Sequence, residues 1–196
     1  MKISAILVSL IFSLSAFALT SGETAPDFKL KSATGKEVSL SDYKGKFVVL
    51  EWYNPECPFV KKHYDSNNMQ TLQKKYTGEK VIWLSIVSSA EGKQGYLTPK
   101  EAMAQKEKSK SSATDVLLDT TGEVGKLYGA KTTPHMFVID KAGVLAYQGA
   151  IDSTADTSVE SVAASKNYVV AALTDLMGDK KVTQPATQSY GCGVKY

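Results

Sequence analysis

Apolar and polar positions alternate along the chain in blocks whose period changes several times. Phe47 to Tyr53 is a run of Val, Leu and aromatic residues with the composition of a buried strand. Asn54 and Pro55 break that run as a turn. From Pro58 a long helix is expected to about Tyr76, with Phe59, His63, Met69, Leu72 and Tyr76 on one face and Asp65 to Asn68 as the place where it would bend. Lys80 to Val87 is almost continuously apolar, as a parallel strand buried on both faces should be. A polar loop, Ser88 to Leu97, leads to Thr98-Pro99-Lys100-Glu101, a capping box with proline at the first helical position. The helix that follows, Glu101 to about Lys110, is lysine-rich and expected to be exposed. Asp115 to Leu118 reads as a strand, and Glu123 to Tyr128 as a short helix closed by Gly129. Met136 to Asp140 and Val144 to Gly149 read as antiparallel strands joined by a hairpin turn at Asp140-Lys141-Ala142-Gly143. After a polar loop, Asp152 to Ser158, a helix is clearest from Lys166 to Met177, with Tyr168, Val169, Ala172, Leu173 and Leu176 on its apolar side, and Gly178 stops it.

Upstream of the central run, Thr24 to Leu30 and Glu37 to Leu40 read as two strands around a turn at Thr34-Gly35-Lys36, and Ser41 to Lys46 as a second turn. Strands alternating with helices call for a parallel sheet covered on both faces, with the final hairpin adding antiparallel pairing. The expectation is one α/β domain over residues 24–178, followed by a tail, residues 179–196, with neither helical nor strand period. Residues 1–18 stand apart. Lys2, the apolar run Ala5 to Phe17 and the small-x-small end Ala16-Phe17-Ala18 read as a secretory signal peptide. That run is shorter than the roughly 20 residues of a membrane span, so the expected location is exported, periplasmic or secreted, with membrane contact only during export.

Charge adds little to this picture and cysteine adds much. The 196-residue chain carries a net charge of +3, all its basic side chains other than histidine are lysines, and no basic stripe interleaved with aromatics supports a nucleic-acid partner. There are two cysteines, Cys57 and Cys192, and an even pair in an oxidising compartment suggests a disulfide. Pro58 suits a first helical residue, which puts Cys57 at a helix N-terminus. Free N–H groups there, with Lys61, Lys62 and His63 in the next turn, favour a thiolate. Thiolate and imidazole from Cys57, Cys192, His63 and His135 suit soft metals, but the chain has no Cys-x-x-Cys spacing, and no metal or other cofactor is expected.

Trp52, Cys57, Pro58, Thr133 and Pro134 resemble the active-site elements of the thioredoxin superfamily. Asn54 to Val60, Thr132 to Pro134 and Gly191 to Tyr196 are more closely similar to the peroxiredoxin-like branch of the AhpC/TSA redoxin family, as is the opening Ala25-Pro26-Asp27-Phe28 and Leu40 to Lys46. The resemblance implies a thioredoxin-like fold, a central mixed sheet flanked by helices with an N-terminal hairpin, and thiol redox chemistry. It also implies that Pro134 is the cis-proline beside the reactive cysteine, and that the backbone of Thr133 can pair with a partner chain as an added strand.

Three readings of the chemistry follow. In a thioredoxin the second cysteine lies three residues after the first. Here that position is Val60, which leaves Cys192, between two glycines, as the internal resolving thiol of a thiol–disulfide oxidoreductase acting on protein disulfides or dithiols. Alternatively, a fixed Cys57–Cys192 disulfide tethers the tail of a non-catalytic binding module. The third reading is a thiol peroxidase with antioxidant activity on a small peroxide. Peroxiredoxins resemble one another in a Pro-x-x-x-Thr-x-x-Cys motif and a distant arginine, whereas here those positions are Leu50 and Asn54 and the chain has no arginine. Asn54, Pro58, Lys61, Thr133 and Pro134 are the expected thiolate-stabilising or substrate-positioning residues around the catalytic pair.

Overall fold

The computed structural model describes residues 19–196, and the signal-peptide expectation for residues 1–18 lies outside the described residues. In chain order the elements are β1 (Lys29–Ser32), β2 (Glu37–Ser39), a 3-10 turn (Leu40–Tyr43), β3 (Val48–Trp52), α1 (Pro58–Asp65), α2 (Asn68–Gly78), β4 (Ile82–Val87), α3 (Pro99–Lys108), β5 (Asp115–Leu118), α4 (Glu123–Tyr128), β6 (Thr132–Thr133), β7 (His135–Ile139), β8 (Leu145–Gly149), α5 (Ser161–Ala164), α6 (Tyr168–Met177) and β9 (Cys192–Gly193). Seven strands form one sheet in the order β2-β1-β5-β4-β3-β7-β8, and β6 pairs with β9 apart from it.

The sheet is parallel only at its centre. β3, β4 and β5 run parallel, while β7 is antiparallel to β3, β8 to β7, and β1 to both β2 and β5. Successive side chains of a strand face opposite sides, so each central strand feeds two cores. Leu50 and Trp52 of β3 and Phe137 of β7 pack with Tyr128 of α4 on one side. Val49 and Val138 pack with Met69 and Tyr76 of α2 and with Val169 and Leu173 of α6 on the other. Fully burying each such side chain contributes about 1.5–3 kcal/mol. A third cluster, Tyr53, Val60, Val87, Ala102 and Val116, surrounds Cys57.

Two expectations are corrected. The helix from Pro58 is two helices: α1 ends at Asp65, and Asn67 takes a left-handed backbone (φ 59°) before α2 begins. Asparagine tolerates that conformation better than most residues. Gln70 holds the corner by donating to the Tyr64 and Ser109 carbonyls, both at 2.9 Å. In consequence α1 buries Val60, Lys62 and His63, and Phe59 is only half-buried. The first strand begins at Lys29, since residues 25–28 run as extended coil that reaches the β8 side through a single bridge from Thr24 to Val144. The capping box forms, with Glu101 N–H donating to Thr98 Oγ1 at 3.3 Å and Thr98 N–H to Glu101 Oε2 at 2.8 Å.

One carboxylate sits inside the apolar run of β3. Glu51 is fully buried and accepts from Trp83 Nε1 (2.7 Å), Tyr64 Oη (2.8 Å), Ser85 Oγ and Gln73 Nε2 (both 3.1 Å). Those donors tie β3 to α1, α2 and β4 below the active-site turn. Burial raises the Glu51 pKa above its ordinary value, and the four donors offset this only in part. A folded state that holds this proton more tightly than the unfolded chain loses stability as pH rises through the window opening at the ordinary value of 4.5. Urea unfolding from about pH 4 to neutrality should therefore show a downward slope in the parent protein that is missing in Glu51→Gln; parallel profiles would contradict the raised value.

Candidate active site

The turn after β3 sets the nucleophile. Asn54 Oδ1 accepts the Glu56 N–H at 2.9 Å, the Asn54 carbonyl accepts the Cys57 N–H at 3.1 Å, and Asn54 Nδ2 is directed to the Gln94 carbonyl at 3.5 Å. Asn54 thus shapes the loop, and its amide is engaged away from the sulfur. Cys57 is the N-cap of α1, with exposed Pro58 at the first helical position. The Thr133–Pro134 peptide bond is cis. The Thr133 carbonyl lies 3.0 Å from Cys57 Sγ, and Cys192 Sγ lies 2.6 Å from it, both cysteines being free thiols.

The tail reaches this point as a strap. Thr187 Oγ1 accepts the Ala150 N–H at 2.9 Å and meets Tyr147 Oη at 2.6 Å. β9 then pairs antiparallel with β6, Cys192 opposite Thr133 and Gly193 opposite Thr132. Gly191 has φ 132°, and a Cβ there would overlap the Thr133 carbonyl, so only glycine lets the two backbones close. Beyond the cysteine, Val194 N–H donates to Lys131 O at 3.1 Å, and Ala90 N–H to Lys195 O at 2.9 Å. Tyr196 Oη donates to Ala130 O at 2.6 Å.

Tyr190 anchors the strap on its other side. Its hydroxyl donates to Asp152 and lies 3.2 Å from His63 Nε2. Asn68 donates to His63 Nδ1 at 3.0 Å, which assigns the ring proton to Nε2 and makes a directed chain from Asn68 through His63 and Tyr190 to Asp152. Burial pushes the His63 pKa down to about 4, against the pull of Asp152. Lys62, equally buried, donates to Thr154 O at 2.6 Å and Asp156 Oδ1 at 3.2 Å, with Asp152 Oδ2 at 3.9 Å. The charges expected to activate Cys57 are thus differently employed. Lys62 neutralises acidic residues under the tail, His63 is neutral, and Lys61 is exposed; none of the three is among the largest influences on the Cys57 thiol.

Those influences are hydrogen bonds. Burial alone would push the thiol up, since Cys57 has no solvent-exposed surface. It is outweighed by bonds from the Cys192 thiol and backbone, the Thr133 side chain and the Val60 N–H, so that Cys57 falls below the ordinary thiol value. The Thr133 carbonyl, 3.0 Å from the sulfur, favours the protonated form, and the net direction is still downward. Cys192 is pushed up to about 11 by burial and by Cys57 itself. The sulfurs are therefore unequal, Cys57 the more acidic and Cys192 the less.

His135 is buried against Phe137, ring centres 4.5 Å apart, with its pKa pushed down to about 4 by burial. Among the described residues no group of three or more His, Cys, Asp or Glu side chains converges as a metal site would require. Sequence reasoning did not find Asp152, Tyr190 or the seat of Tyr196. The one sequence signal for the two tyrosines is their spacing, two residues before the tail cysteine and four after it.

The AhpC/TSA family model matches residues 21–148, well over half of the chain. The thiol-disulfide oxidoreductase ResA of Bacillus subtilis is 29% identical over 126 residues, which are 64% of this chain and 65% of ResA. The chain thus spans just under two thirds of that relative. Among solved structures, an uncharacterized conserved protein from Geobacillus kaustophilus superposes with a TM-score of 0.78 at 25% identity, covering 91% of this chain and 93% of that one. A Chlorobium tepidum protein described as a thiol:disulfide interchange protein DsbE superposes with a TM-score of 0.53 at 29% identity, covering 67% of this chain and 85% of that one.

The geometry predicts the order in which the thiols titrate. Thiolate absorbance should show Cys57 ionising below the ordinary value of 9.0 and Cys192 near 11. Thr133→Val, which removes one donor, should move only the lower midpoint upward. A Cys57 midpoint unmoved by that change, or above the ordinary value in the parent protein, would contradict the assignment.

Proposed function

On the premise that the chain belongs to the AhpC/TSA family, within the thioredoxin superfamily, we propose that it is an exported thiol–disulfide oxidoreductase acting on protein disulfides, with Cys57 as nucleophile and Cys192 as resolving cysteine. The observation that carries this reading is the pair of free thiols held in contact with their pKa values split in opposite directions. The relatives ResA and DsbE, named for thiol–disulfide exchange, support the reaction class. The apolar leader of residues 1–18 supports export.

In the first step the Cys57 thiolate attacks one sulfur of a substrate disulfide. A Cys57–substrate bond forms, the substrate's own S–S bond breaks, and its second sulfur leaves as a thiolate that takes a proton from solvent. Cys192 then gives up its proton and attacks Cys57 Sγ. The Cys57–Cys192 bond forms, the mixed disulfide breaks, and the second substrate sulfur leaves and is protonated. Substrate gains two electrons and the pair loses two; an external dithiol restores it. Thr133 keeps the two sulfurs together, its backbone paired with Cys192 and its carbonyl beside Cys57.

Peroxide is a poorer substrate for this arrangement. No arginine is present to hold it, and the Asn54 amide that stands in the threonine position is directed to Gln94 O. The fixed-tether reading draws on the number of contacts along the strap and makes a different prediction.

Reduction of a protein disulfide driven by dithiothreitol should be abolished in Cys57→Ser. Cys192→Ser should stop at a mixed disulfide with substrate, visible as the summed mass. The Cys57–Cys192 couple should have a reduction potential more oxidising than about −300 mV; a value below that would sink turnover in favour of a permanent tether.

A further inference from the structure

The end of the sheet remote from the thiols holds a cavity of about 440 Å³, within the size range of small-molecule sites. Val48, the first residue of β3, is part of its wall, whereas Cys57 follows the other end of that strand. At about 3.3 Å per residue β3 sets the two places roughly 13 Å apart. The cavity is therefore a separate site.

Three segments distant in sequence, residues 24–27, 40–48 and 139–143, surround it. Hydrogen bonds tie each to the other two: Ala25 N–H donates to Gly143 O at 2.9 Å, Ser41 N–H to Asp27 Oδ1 at 3.0 Å, and Gly45 N–H to Lys141 O at 3.1 Å. The ring is closed before anything enters it, so a ligand would meet walls that need little further ordering. Gly45, with φ 81°, turns the chain so that Lys44 and Lys46 both reach the rim beside Lys141.

The lining is apolar inside and cationic at the mouth. Ala25, Leu40, Val48 and Ile139 are buried wall residues, and the three lysines are exposed. Two acids also border the cavity, but both have partners. Asp27 Oδ1 accepts the Phe28 and Ser41 N–H groups, each at 3.0 Å, and Asp140 Oδ1 accepts those of Ala142 and Val144 at 2.8 and 2.9 Å. Lys44 and Lys46 make no ion pair among the described residues, and Lys141 Nζ lies 4.8 Å from the centre of the Phe47 ring. Hydrocarbon walls beneath unpaired ammonium groups suit a molecule with an apolar body and one negative end.

We propose that this cavity binds a small amphipathic carboxylate, an unbranched hydrocarbon chain held among the three segments with its anionic end against Lys44, Lys46 and Lys141. The site is independent of the thiol–disulfide reading and goes beyond it.

The test is calorimetric titration of the full chain with octanoate, decanoate, dodecanoate and tetradecanoate, each below its micellar concentration. One molecule should bind per chain, about fourfold more tightly for each added methylene until the cavity is full, and no more tightly after that. Changing Lys44→Gln, Lys46→Gln and Lys141→Gln together should weaken decanoate on the order of tenfold and leave decanol unchanged. No saturable binding by the parent protein, affinity that climbs through the whole series, or a triple variant that binds decanoate as the parent does would each overturn the site. The chain-length series needs no variant, so it decides even if the triple variant fails to fold. Alkylation of Cys57 should run at the parent rate in the triple variant, and the thiol chemistry is read apart from either result.

Discussion

The antiparallel pairing of Cys192 with Thr133 is the contact on which the site depends. It brings the second sulfur to the first across the whole length of the domain, covers Cys57 and supplies donors that favour its thiolate. A segment without helix or strand period would not hold such a position unaided, because ordering each residue costs about 1–2 kcal/mol of backbone entropy. The tail offsets that cost at separated points: Thr187 against β8, Tyr190 against α1 and Asp152, Tyr196 against α4. Between the last two, Gly191 permits an approach that any other residue would block.

Electrostatics divide the labour in a way the local sequence does not suggest. Lys62 and His63 follow Cys57 closely, yet both are buried on the side of α1 that faces Asp152 and the tail. A buried ammonium requires carboxylate and carbonyl partners, and Asp152, Asp156 and Thr154 provide them. The sulfur is activated instead by short-range donors, which act within the dry pocket without bringing a full charge into it. Nucleophile and anchor thus occupy one helix and report to different parts of the molecule. Glu51 is a third buried polar centre, and its four partners fix the strand from which the active-site turn departs.

Much of the scaffold was legible because it depends on neighbours close in sequence. The apolar runs of β3 and β4, the Thr98 capping box, the hairpin before β8 and the Cys57-Pro58 start of α1 are patterns a few residues long whose physics is local. The helix break at Asn67 was only half legible. A polar stretch marked it, but its direction comes from Gln70 bonding Ser109 far along the chain.

The sequence by itself determined an α/β chain with a cysteine at a helix start, a proline before a strand and a second cysteine set between glycines. Tertiary structure alone decided that the second sulfur touches the first, that Lys62 serves the tail, and that Tyr190 and Tyr196 have seats. Periodicity records a segment's relation to one broad surface, and the tail has none, because each of its anchors meets a different element at a different angle. Such contacts leave no repeating mark in the chain that makes them.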